Sequence, residues 1–315
     1  MLKSVPFFNL SSIVLIVFTL MGCSEQPNTS PSPPTYQSPL TQAVVENTRL
    51  VSKVYSDTLF EVAAGVRETD IYYLSNSGYL THLFCLTVDL NQAKLTLDAA
   101  LTPHKKKKKK KVTWQFSLNT VPELANAADS SGHRVLAAVN GDFFKAKAPW
   151  GIVVKDGQLL KNSWDMPRSQ SFFAILKDGT PLIGDTATFN RIQPRIDDAL
   201  GACDRLIADG VVLYPKDRHM EPRTAVGIDD SNRVYFMVVD GRSLHYSNGL
   251  TCQQMGMLLK ACGAKEAVNL DGGGSSTLLI RRPSDSSPWQ VRNRPSDGQP
   301  RAVSNAWLVI DQATG

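Results

Sequence analysis

Four short polar segments interrupt the apolar runs of this 315-residue sequence, and their residue types are those of acid–base and anion chemistry. Asn140-Gly141-Asp142 follows "RVLAAV" and leads into Phe143 and Phe144. Arg223-Thr224 precedes "AVGI", and Asp240-Gly241-Arg242 follows "VYFMVV". The fourth, "NLDGGGSS", runs from Asn269 to Ser276. Carboxylates serve as nucleophile or base. An arginine fork grips phosphate with two parallel bonds. Successive glycine N–H groups can converge on an anion, and serine hydroxyls add donors.

Each segment alone has a plainer reading. Asn-Gly-Asp and Asp-Gly are ordinary turn residues, Arg223 suits a surface ion pair of small worth, Thr224 suits a strand, and the two phenylalanines suit a core. Together they offer carboxylates, a guanidinium and a glycine loop, a set matched to an anionic, hydroxyl-rich ligand. Three adjacent glycines lose much backbone entropy on folding. The expectation is therefore a close backbone approach to something, with a phosphate as the first candidate.

Other chemistries lack their patterns. No G-x-x-x-x-G-K-[ST], G-x-S-x-G or H-E-x-x-H is present, and no G-x-G-x-x-G is followed by a suitable acid. The five cysteines include no C-x-x-C pair, which disfavours a zinc cluster. No cofactor is required by the sequence; a divalent cation near the acids is compatible with it.

The elements that position these segments read as follows. "THLFCLTVDL" and "AKLTLDAAL" have strand composition. Thr120 with Glu123 forms a capping box and Pro122 falls in the first turn, so a helix runs to about Asp129. "RVLAAV" is a buried strand ending at Asn140. "WGIVVKDGQLLK" and "SFFAILKDGTPLIG" place Asp-Gly between short apolar runs, a hairpin signal, and "AVGIDDSNRVYFMVVDG" does so with a longer turn. Thr251 with Gln254 is a second capping box, with Leu250, Met257, Leu258 and Cys262 as a helical face and Gly263 as the stop. "EAVNL" is then a short strand that delivers the glycines, and "AVSNAWLVI" is the last strand. Hairpins with a few packed helices give an α+β fold with a mixed, largely antiparallel sheet in a single domain.

"VNGDFF", "PRTAVGID", "VVDGR", "GLTCQQMGMLLKACGAKEAVNLDGGGSSTLLI" and "RAVSNAWLVI" together resemble the phosphodiester glycosidase family, over roughly residues 83–310. Ala302 departs from the proline frequent in relatives. The resemblance implies cleavage of a sugar 1-phosphodiester, of the N-acetylglucosamine-1-phosphodiester type, into free sugar and a phosphomonoester. The carboxylates assigned to that chemistry are Asp271 and Asp142, with Asp240 either serving instead or orienting Arg242. Which of them is nucleophile and which is base depends on the separation of the carboxylates, which the fold sets. The substrate-binding set is Asn140, Gly141, Phe143, Arg223, Thr224, Arg242, Asn269, Gly272, Gly273, Gly274, Ser275, Ser276, Arg301 and Asn305. The competing readings are a non-catalytic surface lipoprotein that binds glycan or anionic polymer, and an envelope protein that binds through its lysines.

The ends and the charge place this domain. "FFNLSSIVLIVFTLMGC" reads as a signal peptide over residues 1–22, with Leu20-Met21-Gly22-Cys23 as a lipobox that leaves Cys23 lipidated. The Pro/Ser/Thr-rich stretch that follows is expected to be a disordered tether over residues 23–46, with the catalytic domain over 47–315. The expected location is a bacterial cell envelope, held to the membrane by lipid on Cys23 and facing periplasm or exterior, with exopolysaccharide metabolism as the setting. The net charge of +5 comes from one patch: without Lys3 and the seven lysines Lys105 to Lys111, 26 basic residues face 29 acids. That run reads as a solvated loop, and with no aromatic interleaving it does not point to nucleic acid. Cys252 and Cys262 sit on one expected helix about 15 Å apart, too far to bridge.

Overall fold

The computed structural model describes residues 35–92, 94–105, 112–215, 217–282 and 287–312. The signal peptide, Cys23, the first part of the tether and Lys106 to Lys111 lie outside the described residues. The end of the expected tether does not. Pro39–Thr48 is a helix (α1), capped by Ser38, whose hydroxyl accepts from Leu40 N–H at 3.2 Å. Its Val44 is fully buried. Leu40 and Val44, four residues apart, pack on the apolar cluster beside the large sheet and the Thr41 hydroxyl donates to Asp57 at 2.7 Å, so folded structure begins earlier than residue 47.

The fold is α+β, as expected. The mixed, largely antiparallel sheet becomes three large sheets and two two-stranded ones, antiparallel at every pairing among the described strands. The largest has eight strands in the order Val51–Ala63, Val66–Ser75, Leu80–Asp89, Arg233–Val239, Arg223–Ile228, Glu266–Asn269, Arg205–Ala208 and Val211–Val212. A second holds Gln158–Lys161, Val153–Lys155, Ile196–Ala202, Ser171–Leu176 and Pro181–Asp185. A third holds Trp289–Val291, Leu278–Arg281, Arg134–Asn140, Ala306–Asp311 and Leu95–Ala100.

Both faces of the large sheet are covered, which is why its central strands read as continuous apolar runs. Phe84, Leu86, Phe236 and Val238 point into a core shared by all three sheets. Leu83, Cys85, Met237 and Val239 point the other way, onto α1 and the helix Cys252–Ala261 (labelled α4 below). Three aromatic residues meet in the shared core, one from each sheet: Phe173 lies 4.7 Å from Trp307 and 6.0 Å from Phe236, ring centre to ring centre.

The locally encoded pieces form as expected. Helix α2 (Val121–Asp129) carries the Thr120–Glu123 capping box and packs on the third sheet. The Asp156-Gly157 turn has φ of 51° and 69°, the left-handed pair that a tight hairpin needs. Helix α3 (Thr186–Ile192), capped by Asp185, seals the second sheet through Phe189. Helix α4 carries the Thr251–Gln254 box. Its buried stripe is Cys252, Met255, Leu258 and Leu259, rotated from the expected face with Met257. Gly256 explains the rotation: a Cβ there would sit 3.0 Å from the carbonyl oxygen of Leu206, so this side of the helix lies closest to the sheet. The four described cysteines are free thiols.

Candidate active site

Asn140 joins three of the four polar segments. It ends the strand Arg134–Asn140 and is fully buried. Its Nδ2 donates to the carbonyl of Asp271 at 2.6 Å. Its Oδ1 accepts from the Thr224 hydroxyl at 2.9 Å and from Thr277 N–H at 3.0 Å. Asp271 N–H in turn donates to Gly141 O at 3.0 Å, and Leu270 N–H to Thr224 O at 2.9 Å. A second buried amide, Asn305, accepts from Asp142 N–H at 2.8 Å and fills the space a Cβ on Gly141 would need. Asn140, Gly141, Thr224 and Asn305 thus fix the loops to one another, through both side-chain polar atoms of Asn140, the Thr224 hydroxyl and the Oδ1 of Asn305.

The glycines are required by protein atoms. A Cβ on Gly272 would lie 2.7 Å from the carbonyl oxygen of Pro222, and Gly273 N–H donates to that same oxygen at 2.8 Å. Gly273 has φ of 59° and opens the short 3₁₀ turn Gly273–Ser275. A Cβ on Gly274 would run into Arg301 and Asp297. The expected close approach is real, but at Gly272 it is to the backbone of the neighbouring segment at Pro222.

A cavity of about 340 Å³ opens over this loop, walled by Phe143, Asp217, His219, Arg242, Asp271 and Arg301 among others. Three guanidinium groups border it, each matched to one acid. Arg223 lies 3.2 Å from Asp217, Arg242 lies 2.6 Å from Glu221, and Arg301 lies 2.8 Å from Asp297. Their exposures differ in a way that matters. The Arg223 side chain is 6% exposed and also donates to Leu250 O and His219 O, whereas Arg242 and Arg301 are 48% and 41% exposed. Phe143 stacks on Trp150 with centres 5.3 Å apart, giving the wall an apolar, planar patch.

The two carboxylates differ by position. Asp271 is half-buried on the cavity wall. Burial raises its pKa to about 6, opposed by the Ser275 hydroxyl and the Arg301 charge. Asp142 is fully buried behind it; Oδ2 accepts from Gly151 N–H at 2.7 Å, and Oδ1 has no partner. Burial first, and then the neighbouring Asp271 charge, push Asp142 up to about 7 against the Gly151 bond. Gly151 and Gly201 face each other so closely beside this carboxyl that neither has room for a side chain.

A model of the family described as "Phosphodiester glycosidase" matches residues 133–310, the span that contains every group named above from Asn140 to Asn305. The chain belongs to the phosphodiester glycosidase family. It is 28% identical over 166 residues to the N-acetylglucosamine-1-phosphodiester alpha-N-acetylglucosaminidase of Mus musculus, covering 45% of this chain and 31% of that protein. To the Homo sapiens protein of the same name it is 27% identical over 184 residues, covering 51% and 34%. The chain thus spans about a third of the length of the curated relatives it matches. Its fold is shared with the zebrafish N-acetylglucosamine-1-phosphodiester alpha-N-acetylglucosaminidase catalytic domain, auto-inhibited by its pro-peptide, at a TM-score of 0.59 and 19% identity over 82% of this chain and 88% of that one. A hypothetical protein from Synechocystis superposes at a TM-score of 0.58 and 14% identity, covering 81% and 64%.

Within this phosphodiester glycosidase fold, Asp240 stands apart. Its carboxylate is buried and does not line the cavity. It accepts from Arg294 N–H, Asn293 Nδ2 and the Tyr246 hydroxyl, and burial raises its pKa against those bonds. Nor does it orient Arg242, which pairs with Glu221. Asn293 also donates to Ser276 O at 2.9 Å, so Asp240 anchors the far end of the glycine loop. Asn269 and Ser276 are buried beneath the loop, away from the cavity. The sequence reading missed Asp217, His219, Glu221 and Asp297. Their signal was the dense charge of "KDRHMEP" directly before a buried strand, and an acid four residues ahead of Arg301. Among the described residues, the acids that converge as cation ligands would are Asp98, Asp156 and Asp198, elsewhere in the fold, and the Lys155 ammonium already bonds all three.

Proposed function

We propose that this protein hydrolyses a sugar 1-phosphodiester, releasing free sugar and a phosphomonoester. The observation that carries the reading is a carboxylate, Asp271, on the wall of a cavity bordered by two half-exposed guanidinium groups, Arg242 and Arg301. The phosphodiester lies against those two arginines, which balance charge growing on the departing phosphate. Arg223, triply bonded within the protein, holds the rim in place. Asp271 faces the anomeric carbon, where an oxocarbenium-like transition state needs a neighbouring carboxylate. A pKa of about 6 leaves it ionised at neutral pH yet basic enough to take the proton of an attacking water. Phe143, backed by Trp150, offers an apolar face to the sugar ring.

The names of the curated relatives support N-acetylglucosamine as the sugar to try first. We place the protein at a bacterial cell envelope, lipid-anchored through Cys23, with an exopolysaccharide or related phosphodiester-linked glycan as substrate. Labelling with a radiolabelled fatty acid, lost in Cys23→Ala, tests the anchor. The activity is tested by incubating purified protein with a panel of sugar 1-phosphodiesters and following free sugar by mass. Release by the wild type, and a fall of at least 100-fold in Asp271→Asn with its circular dichroism unchanged, is the expected result. Binding without release from any substrate favours a glycan-binding surface protein instead.

A further inference from the structure

A guanidinium can stabilise the charge on a departing phosphate, but it has no proton to give. An imidazole is the side chain that exchanges a proton near neutrality, and His219 is the imidazole on the wall of this cavity. Its main chain is pinned from both sides. Its N–H donates to Asp217 Oδ1 at 3.0 Å, and its carbonyl accepts from Arg223 Nη2 at 2.7 Å. Its ring Nδ1 lies 3.1 Å from the same Asp217 oxygen. Burial acts to raise the Asp217 pKa, but bonds from His219 N–H and Arg223 prevail and lower it to about 2. Asp217 is therefore a standing anion that takes Nδ1–H, so that Nε2 is the ring nitrogen left to meet a ligand. The His219 side chain is 88% exposed, so the ring can reload a proton from solvent.

We propose that His219 is the catalytic acid of this site, giving its Nε2 proton to the bridging oxygen of the leaving phosphate. The proposal rests on the hydrolysis proposed above. The bond between the anomeric carbon and the bridging oxygen breaks, and its electron pair stays with that oxygen, which takes the proton from Nε2. The oxygen of water bonds to the anomeric carbon, and its proton goes to Asp271. Free sugar and a singly charged phosphomonoester leave; neutral His219 and protonated Asp271 are reset by solvent. The charged groups that share the cavity wall with His219 are Asp217, Glu221 and Asp271 on one side of the balance and Arg223, Arg242 and Arg301 on the other, with Arg168 paired to Asp217.

The test compares wild type, His219→Gln and Asp217→Asn on two probes, a sugar 1-(ethyl phosphate) and the less basic sugar 1-(trifluoroethyl phosphate), across pH. His219 is exposed, so the glutamine variant folds. Expected for His219→Gln is a kcat loss on the order of 100-fold on the ethyl probe, a smaller loss on the trifluoroethyl probe, and no alkaline limb. Asp217, acting through the imidazole, is a positioning residue, and Asp217→Asn should move that limb to lower pH. Equal kcat in wild type and His219→Gln, or equal losses on both probes with the alkaline limb retained, overturns the acid role while leaving hydrolysis standing. No sugar release by the wild type from either probe overturns the hydrolysis itself, and the acid role with it.

Discussion

Asp142 and Asp271 are two carboxyl groups in one site with different surroundings, and the difference assigns them different work. Asp271 reaches the cavity; Asp142 is enclosed between Gly151, Gly201 and Asn305. The Asp142 pKa of about 7 lies above its ordinary 3.8, so the folded state holds the proton more tightly than the unfolded chain does. Its contribution to stability is then full below pH about 4 and is lost as pH rises through about 7. Asp142→Asn keeps an acceptor for Gly151 N–H and carries no charge. Its stability should fall less between pH 5 and 8 than that of the wild type, by on the order of 1–3 kcal/mol, read from denaturant midpoints. Identical pH slopes in the two proteins would show that Asp142 is ionised throughout. Activity in the same variant distinguishes a proton-bearing Asp142 from one that only fills space.

At the scale of elements, strand ends and the loops that leave them carry the site. Strands bury both faces and lock their ends, and the buried amides Asn140 and Asn305 fasten three loops together. The glycine loop tests this arrangement. Gly272→Ala places a methyl 2.7 Å from the rigid Pro222 carbonyl, so the loop must move and carry Asp271 with it. We predict a kcat loss on the order of 100-fold, because misplacement by about 1 Å is worth that much. Gly273→Ala meets only the end of Arg242 and a left-handed φ, at about 1 kcal/mol of stability. Its activity should fall less than that of Gly272→Ala; the reverse order in steady-state kinetics would place the critical contact at Gly273.

At the scale of the molecule, three sheets share one core and are also joined by a buried charge. Lys155 on the second sheet bonds Asp198 beside it and Asp98 on the third sheet, with Asp156 completing the set. Lys155→Met removes the cation and strands the acids, which should cost about 3–5 kcal/mol at pH 8. Burial raises the Asp198 pKa and Lys155 pulls it back, so without the lysine it protonates more readily. The loss should therefore be smaller at pH 5, as measured by urea unfolding at both pH values. A pH-independent loss would assign the effect to packing alone.

What the sequence by itself determined is the local part: the two capping boxes, the Asp-Gly hairpins, the polar residues at strand ends and the family. These features are written in contiguous residues, because caps and turns are settled within a few positions. Helix α1 is not legible in its own residues, because the burial of Val44 depends on a sheet that follows it in the chain. The tertiary structure alone decided which polar groups face the cavity. It took Asp240 away to anchor Asn293 and Arg294, bound Arg223 into the rim, and brought Asp217, His219, Glu221 and Asp297 to the wall. The glycine run kept its place beside Asp271, but its reason changed from a phosphate to the carbonyl of Pro222 and the Arg301–Asp297 pair. Whether a carboxylate is free or spent depends on partners from distant segments, and no spacing along one segment records them.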